Sequence, residues 1–266
     1  MTKKIAVIGG GNMGGAIVYG MLRAGYETVT VADRNEAILE KVRSWGANAT
    51  DNNIDAIQDA DIIILAVKPN IASSVADEIK GELSQNAIIV SICAGKTVAS
   101  LKEMFEHEKV VRVMPNTPVT VGEGMCVVCE SDDVSAEEFD YIKTIFASFG
   151  KALVLPESLI DTVIGVSGSG PAYAFMFIDG MVKSGVANGL DYDTAKIMAA
   201  QTVLGAAKMV LESDLTPDQL KVNVCSPGGT TIEAVKSFEE DDLYRIIDKA
   251  MAACIAKSKK MSEVKN

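Results

Sequence analysis

Three glycines near the start of the chain are spaced as in a phosphate-binding turn. Gly9, Gly11 and Gly14 form a G-x-G-x-x-G pattern that follows an apolar run at residues 5–8 and opens a helix-like segment. In such a turn the first glycine allows the bend, the second lets the backbone approach a pyrophosphate, and the third lets the helix pack on the strand. The free amides at the helix start then face the anion. The pattern predicts a dinucleotide site; a glycine turn without a ligand is the alternative.

Two charged residues follow the second strand-like run, which covers residues 28–32. Asp33 lies 19 residues beyond Gly14, where a carboxylate can accept a hydrogen bond from the ribose 2′-hydroxyl of NADH. Arg34 could instead pair with the 2′-phosphate of NADPH. The residues alone leave the choice of cofactor open, and comparing kcat/KM for the two nucleotides would settle it.

A second glycine pair precedes a helix in the C-terminal half, in the sequence Ser-Pro-Gly-Gly-Thr-Thr at residues 226–231. Gly228 and Gly229 lie just ahead of the helix start, where backbone amides are free, and the hydroxyls of Ser226, Thr230 and Thr231 add donors. A plain N-cap made by Thr230 or Thr231 is the alternative. Two glycines and two threonine hydroxyls exceed what a cap needs, so we favour a site for a carboxylate or phosphate.

A third glycine-containing segment interrupts a helical pattern at residues 166–173. Gly168, Gly170 and Pro171 together cost several kcal/mol of helix propensity by a rough count. Pro171 fits the first turn of a restarted helix. A kink that allows close helix packing and a contact with a ligand are both compatible with this pattern.

Strand-like and helix-like segments alternate in the first half of the chain. The strands are expected at residues 5–8, 28–32, 47–49, 62–67, 87–92 and 110–114. Such alternation predicts an α/β fold with a Rossmann-type, doubly wound parallel sheet. The loops 67–70, 93–96 and 115–118 then share the carboxyl edge of the sheet, where open α/β sheets bind ligands. A hairpin-like addition follows, with strands at 124–129 and 152–155 around a helix at 136–149.

Strand patterns vanish near residue 157, and only helices are expected beyond it, at residues 159–186, 192–211, 217–222, 230–238 and 243–261. We therefore predict a dinucleotide-binding domain over residues 1–157 and a helical domain for substrate binding and dimerisation over residues 158–266. The helices are rich in alanine and apolar all round, and about 110 residues of them would struggle to bury every apolar face internally. An obligate helical dimer is the expected solution.

The amino-acid composition of the chain restricts the kinds of molecule that it is expected to bind. The net charge of −11 argues against nucleic acid or an anionic membrane surface. We find no secretory signal and no apolar segment suited to spanning a membrane, and the five cysteines are expected to be reduced thiols in the cytoplasm. Cys126 and Cys129 lie in a strand-like run, where side chains three apart face opposite sides. With one histidine, His107, expected to be solvated in a charged turn, we predict no metal site.

Six blocks along the chain carry a resemblance to a known family. They are Gly-Gly-Gly-Asn-Met-Gly (9–14), Ala-Val-Lys-Pro (66–69), Met-Pro-Asn-Thr-Pro (114–118), Gly-Ser-Gly-Pro-Ala-Tyr (168–173), Gln-Thr (201–202) with Gly-Ala-Ala-Lys-Met (205–209), and Ser-Pro-Gly-Gly-Thr-Thr (226–231). Their order and spacing make the chain similar over essentially its whole length to the 1-pyrroline-5-carboxylate reductases, the last enzymes of proline biosynthesis.

The resemblance implies hydride transfer from NADPH, with tolerance for NADH, to the ring C=N bond of 1-pyrroline-5-carboxylate, which yields L-proline. It implies that the 226–231 loop holds the substrate carboxylate and that Thr231 donates toward the ring nitrogen. It also implies a homo-oligomer built from dimers, in which the nucleotide domain of one subunit meets the helices of another. The expected cofactor-binding residues are Gly9, Gly11, Asn12, Met13, Gly14, Asp33, Arg34, Asn53, Ala66, Val67, Lys68, Pro69, Ala94, Gly95 and Asn116.

Two rival functions remain for comparison. A β-hydroxyacid dehydrogenase would need a catalytic lysine at position 174, where this chain has Ala174. A non-catalytic sensor that binds a nicotinamide nucleotide would keep the first half but would not need the 226–231 loop. Substrate-dependent loss of NADPH absorbance distinguishes the reductase from the sensor.

Overall fold

The computed structural model describes residues 3–263 of the chain. Within this range one sheet holds eight strands in the order β3-β2-β1-β4-β5-β6-β7-β8. The strands are β1 (Ile5–Ile8), β2 (Val29–Ala32), β3 (Asn48–Thr50), β4 (Ile62–Leu65), β5 (Ile88–Ser91), β6 (Val110–Met114), β7 (Gly124–Cys129) and β8 (Gly150–Leu155). Neighbouring strands from β3 to β6 run parallel, as predicted for a doubly wound sheet.

Helices cover both faces of this sheet. They are α1 (Asn12–Arg23), α2 (Glu36–Ser44), α3 (Asn53–Ile57), α4 (Ala72–Ile79), α5 (Val98–Phe105) and α6 (Ala136–Ala147). Alternate residues of β1 enter two different cores, Ile5 and Val7 on the side of α1 and α6, and Ala6 and Ile8 on the side of α4 and α5. Burial on both faces explains why the central strands are continuous apolar runs.

The far edge of the sheet differs from the hairpin-like addition that was predicted there, because its last two strands are parallel to each other. Strand β7 pairs antiparallel with β6, whereas β8 pairs parallel with β7. The connection from β6 to β7 is only nine residues long, 115–123, and contains a short 3-10 turn, Thr117–Val121, followed by Gly122 at φ +80°. A parallel pairing needs a longer crossover, such as the one that α6 provides between β7 and β8.

The remainder of the chain is helical, as predicted. It contains α7 (Ile160–Val163), α8 (Gly170–Ala187), α9 (Tyr192–Glu212), α10 (Pro217–Val224), α11 (Thr230–Glu240) and α12 (Leu243–Glu263). The helix expected over residues 159–186 is broken by a π-helical turn at Ile164–Gly168. Pro171 is the second residue of α8, so it lies in the first turn of the restarted helix, where its missing N–H costs least.

Packing divides the chain into two compact units. One contains the residues up to Ser169 together with those from Cys254 onward, and the other is Gly170–Ala253. Within the first unit, Ser258 donates a 2.5 Å hydrogen bond to Asp161, which fastens the end of α12 beside α7. By packing, residues 158–169 and the end of α12 therefore belong to the unit that contains the sheet. The predicted division into domains after residue 157 remains a prediction.

The second unit leaves a large apolar surface open in the single chain. Its small core forms where Val182 of α8 meets Ala195 and Ala199 of α9. Large apolar side chains are exposed elsewhere on these helices, for example Met176 at 75% and Leu211 at 67%. Monomeric proteins rarely expose so much contiguous apolar surface, because association or aggregation would follow. This surface is what the predicted helical dimer would bury.

Candidate active site

The glycine turn has the backbone geometry that its pattern requires. Gly9 lies at φ +98°, and a Cβ atom there would be 2.7 Å from the carbonyl oxygen of Ala66. A Cβ atom on Gly14 would lie 1.9 Å from the carbonyl oxygen of Gly9, so only glycine lets α1 pack against the turn. Gly11 faces open space instead, with nothing within 4 Å of a Cβ position. The backbone can therefore be approached closely there.

The start of α1 supplies unpaired donors beside this opening. Gly11 is the N-cap of α1 and provides no side-chain cap. The backbone amides of Asn12 and Met13, in the first turn, have no acceptor within the helix. Together with the helix dipole, they form a site suited to a pyrophosphate.

Asp33 stabilises the glycine turn from the end of β2. Its Oδ2 atom accepts a 2.8 Å hydrogen bond from the Gly10 amide, and its Oδ1 atom accepts a 2.9 Å bond from the Asn35 amide. Asn35 in turn caps α2 through the Ala37 amide. Each carboxylate oxygen can accept a further bond, so Asp33 can hold the turn and still accept from a ribose hydroxyl.

Arg34 and Asn53 converge on a residue that the sequence did not single out. One guanidinium nitrogen of Arg34, Nη2, lies 3.1 Å from each carboxylate oxygen of Glu78, and Asn53 Nδ2 donates a 2.9 Å bond to Glu78 Oε2. Glu78 lies on α4, in sequence an ordinary polar position of an amphipathic helix. Only the fold, which places α4 beside the end of β2, reveals it.

These side chains border a cavity of about 430 Å³ at the carboxyl ends of β1, β2 and β4. Its polar wall is formed by Asp33, Arg34, Asn53 and Glu78. Its apolar wall comes from β1 and α4 and includes Val75. A cavity with one polar and one apolar wall at this edge fits the adenosine part of a dinucleotide.

A second cavity of about 460 Å³ lies against α1 and α2 and includes Gly10 and Gly11 in its lining. Aromatic rings dominate it: the ring centroids of Tyr19 and Trp45 are 5.1 Å apart, and Lys41 Nζ lies 5.1 Å from the Trp45 centroid. Of these two cavities, only the first is bordered by the residues that end β2, Ala32 and Asp33.

The remaining predicted cofactor residues lie on loops that follow β4, β5 and β6. Ala66 donates to the Ile8 carbonyl and leads into the turn that contains Val67, Lys68 and Pro69. The Cys93 thiol, at the end of β5, donates to the Val67 carbonyl over 3.3 Å and ties two of these loops together. The loop after β5 also contains the predicted residues Ala94 and Gly95, and Gly95 lies at φ +74°.

The side chain of Asn116 makes hydrogen bonds to other parts of the protein. Its Oδ1 atom accepts a 2.8 Å bond from the Met125 amide, and its Nδ2 atom donates a 3.0 Å bond to the Ser167 carbonyl. The side chain therefore fixes the loop after β6 to β7 and to the π-helical turn. Its one remaining amide hydrogen and its backbone are what it could offer to a cofactor.

The 226–231 loop lies in the second unit and ends at the start of α11. Gly228 adopts φ +70°, and Gly229 is the N-cap, with its amide donating 3.0 Å to the Ser226 carbonyl. The hydroxyls of Thr230 and Thr231 have no hydrogen-bond partner among residues 3–263, so neither caps the helix as the alternative reading required. The amides of the first turn and both hydroxyls are available to an anion.

The side chains of Cys126 and Cys129 lie on opposite faces of one strand, as their spacing predicted. Cys126 and Cys129 are fully buried and enter different apolar clusters, because they face opposite sides of β7. Burial raises the pKa of each thiol to about 12, which removes the thiolate that metal binding or redox chemistry needs. Among residues 3–263, no cluster of three or more His, Cys, Asp or Glu side chains could hold a metal ion.

His107 is not solvated as expected. It is half-buried, and its Nε2 atom lies 2.7 Å from the Ala87 carbonyl oxygen. The reason is the end of α5, where Glu106 adopts a left-handed conformation at φ +50° and turns the chain back toward the sheet.

None of the helices within the described range has the length and apolar character needed to cross a membrane.

Comparisons with known proteins agree over both halves of the chain. Residues 157–261 match the family model described as pyrroline-5-carboxylate reductase dimerisation, and residues 4–95 match one described as NADP oxidoreductase coenzyme F420-dependent. The chain is 42% identical to the pyrroline-5-carboxylate reductase of Escherichia coli (strain K12), over 99% of this chain and 100% of that relative.

Solved structures give the same result. A pyrroline carboxylate reductase from Plasmodium falciparum with NADP bound has a TM-score of 0.89 and 34% identity, and the match covers 98% of each chain. A pyrroline-5-carboxylate reductase from Coxiella burnetii has a TM-score of 0.92 and 32% identity over 99% of this chain and all of that one.

Proposed function

Because the chain belongs to the pyrroline-5-carboxylate reductase family, we propose that it reduces the C=N bond of 1-pyrroline-5-carboxylate to L-proline, the last step of proline biosynthesis. It is an oxidoreductase of the NAD(P)H-dependent class, and we propose NADPH as its main cofactor with NADH also accepted. The observation that carries the proposal is full-length similarity to reductases of this name, combined with a glycine turn that has an open approach at Gly11.

We assign the cofactor to the first unit. The first amides of α1 hold the pyrophosphate, and the cavity bordered by Asp33, Arg34 and Asn53 holds the adenosine ribose. The loops that contain Ala66–Pro69, Ala94–Gly95 and Asn116 continue along the carboxyl edge of the sheet toward the nicotinamide. When bound, the nicotinamide supplies the hydride that adds to the ring carbon of the C=N bond.

The 226–231 loop is the proposed site for the substrate. The amides at the start of α11 and the hydroxyls of Ser226 and Thr230 bind the carboxylate. Thr231, next along the helix, places its hydroxyl toward the ring nitrogen, which must hold a proton once the carbon has received the hydride. A hydroxyl is a poor free acid, so Thr231 orients the ring rather than storing the proton. Most of the rate enhancement then comes from positioning.

The chain is expected to work as a homo-oligomer, in line with its match to a dimerisation model. We propose that the oligomer is built from dimers and that the nucleotide domain of one subunit meets the 226–231 loop of another. The apolar surface of the second unit supports this proposal, since a single chain leaves it uncovered. We also propose that the protein is cytoplasmic, because its five cysteines are all free thiols.

The test follows NADPH absorbance with purified protein. We expect loss of absorbance only when 1-pyrroline-5-carboxylate is present, with L-proline accumulating in equal amount. Binding of NADPH without any substrate-dependent loss would support the sensor instead. Oxidation of a β-hydroxyacid with NADP⁺ would support the dehydrogenase, although Ala174 leaves that reaction without its base.

A further inference from the structure

We infer that Glu78 determines how strongly this reductase prefers NADPH over NADH, by opposing the 2′-phosphate of NADPH. The inference rests on the proposed cofactor site, because it concerns the cavity at the end of β2. It assigns a role in specificity to a residue on α4 that the G-x-G-x-x-G pattern does not include.

Glu78 already forms an ion pair with Arg34, the cation that a 2′-phosphate would need. Both of its carboxylate oxygens lie 3.1 Å from Nη2 of Arg34. Arg34 follows Asp33 directly, so it is the residue placed to meet a group on the ribose 2′-position. A phosphate at that position must therefore compete with Glu78 for the same guanidinium.

Of the two partners, Glu78 is the fixed one. Asn53, which is 93% buried, donates from Nδ2 to Glu78 Oε2 over 2.9 Å and holds that carboxylate in place. The Arg34 side chain is 71% exposed, whereas that of Glu78 is 30% exposed. When a phosphate arrives, Arg34 can swing toward it, but the carboxylate stays in the cavity wall.

The carboxylates of the cavity reduce the advantage that Arg34 gives to a 2′-phosphate over a 2′-hydroxyl. Its lining contains two carboxylates, Asp33 and Glu78, and one cation, Arg34. A 2′-phosphate brings a charge of roughly −1.5 to −2, which Glu78 repels, while a 2′-hydroxyl can donate a hydrogen bond to either carboxylate. Glu78 thus weakens NADPH binding and leaves NADH binding nearly unaffected.

The test measures binding of nucleotide fragments that differ only in the 2′-phosphate. Isothermal titration calorimetry at low salt would compare 2′,5′-ADP with 5′-AMP for the wild type and for Glu78→Gln. Glutamine keeps an acceptor for Asn53 but removes the charge. We expect the Kd for 2′,5′-ADP to fall about tenfold, and that for 5′-AMP to change by less than about twofold, as expected for one nearby charge in a partly solvated site.

Two further variants separate the causes. In an Arg34→Gln background, the gain from Glu78→Gln should shrink to about twofold, because only direct repulsion remains to be relieved. Asp77→Asn is the matched control: it removes an exposed carboxylate from the adjacent position of α4, where Asp77 pairs with Lys80. It should leave the ratio of the two dissociation constants unchanged.

The ratio of kcat/KM for NADPH to that for NADH should rise with Glu78→Gln in parallel with the binding data. An unchanged ratio of dissociation constants would overturn the inference. Weaker binding of 2′,5′-ADP would also overturn it, since it would mean that Glu78 holds Arg34 ready for the phosphate. A wild-type protein that binds neither fragment would refute the cofactor site itself, and the inference with it.

Discussion

Thr231 is the side chain on which the proposed reaction depends most directly. Thr231 is half-buried at the start of α11, and its hydroxyl has no hydrogen-bond partner among residues 3–263. Thr231→Ala should therefore lower kcat by about ten- to a hundredfold, the scale of one acid–base contact. Thr231→Ser keeps the hydroxyl and should retain most of the activity. Steady-state kinetics on variants with unchanged circular dichroism would check this, and a folded alanine variant with wild-type kcat would refute the assignment.

Gly14 is the most constrained residue of the nucleotide turn. An added Cβ atom would lie 1.9 Å from a backbone oxygen, and backbone cannot move aside as a flexible side chain can. Gly14→Ala should lower the free energy of unfolding by about 2 kcal/mol or more, with loss of NADPH binding.

Gly81→Ala is the matched control for Gly14→Ala, because nothing lies within 4 Å of its Cβ position. It should change stability by no more than about 0.5 kcal/mol. Urea unfolding of both variants measures the difference, and equal stabilities would show that α1 adjusts to the extra atom.

Predictability at the residue scale depends on whether a residue's role is local. Gly9 and Gly14 could be identified from spacing, because the turn that needs them is made by neighbouring residues. Glu78 could not, because its partners Arg34 and Asn53 come from other elements that only the folded sheet brings together. The side-chain bonds of Asn116 to Met125 and Ser167 escaped prediction for the same reason.

At the scale of the elements, helix α6 begins with a reciprocal cap. Ser135 accepts from the Glu138 amide, and Glu138 accepts in return from the Ser135 amide, which forms a capping box. Glu138 also accepts a 2.9 Å bond from Lys109, just ahead of β6. The hydrogen bonds from Lys109 and from the Ser135 amide lower the pKa of Glu138 from an ordinary 4.5 to about 2.

This lowered pKa predicts how stability depends on pH. The ionised form of Glu138 is the one stabilised by folding, so its contribution is fully present above about pH 4.5 and is lost as the pH falls toward about 2. Glu138→Gln should therefore unfold with a shallower pH dependence in that window. Glu137→Gln, which removes an exposed charge one residue away, should keep the wild-type slope. Urea unfolding between pH 2 and 6 would show it, and identical slopes for wild type and Glu138→Gln would contradict it.

Element types were easier to predict than their directions and breaks. The buried strands read as apolar runs, so β1, β4, β5 and β6 could be placed within a residue or two. The antiparallel direction of β7 follows from the length of its connection to β6. The hairpin-like arrangement expected for the last two strands was wrong, because α6 crosses over between them and makes them parallel. The π-helical turn at Ile164–Gly168 adds one residue to a helical repeat, which hydrophobic periodicity over so short a stretch cannot resolve.

At the scale of the whole molecule, the alanine-rich composition of the second half predicted a surface that one chain cannot bury. The structure locates that surface on α8, α9 and the start of α12, where Ile197, Leu204 and Tyr244 are all more than half exposed. Large apolar side chains that are exposed together mark a surface for association with another chain. The match of residues 157–261 to a dimerisation model agrees with a homo-oligomer.

Charged substitutions on this surface should separate the subunits. Ile197→Glu combined with Leu204→Glu places two like charges on exposed apolar positions of α9. These charges cannot pair with each other, and burying an unpaired charge in an interface costs several kcal/mol. We expect light scattering after gel filtration to report the mass of a single chain. The reductase activity should fall at least about tenfold, because the proposed active site needs residues from two subunits.

Leu153→Lys, on the exposed side of β8, is the matched control and should leave both mass and activity unchanged. A monomeric variant with full activity would show that one chain completes the site alone, and an oligomer that survives both charges would place the interface elsewhere.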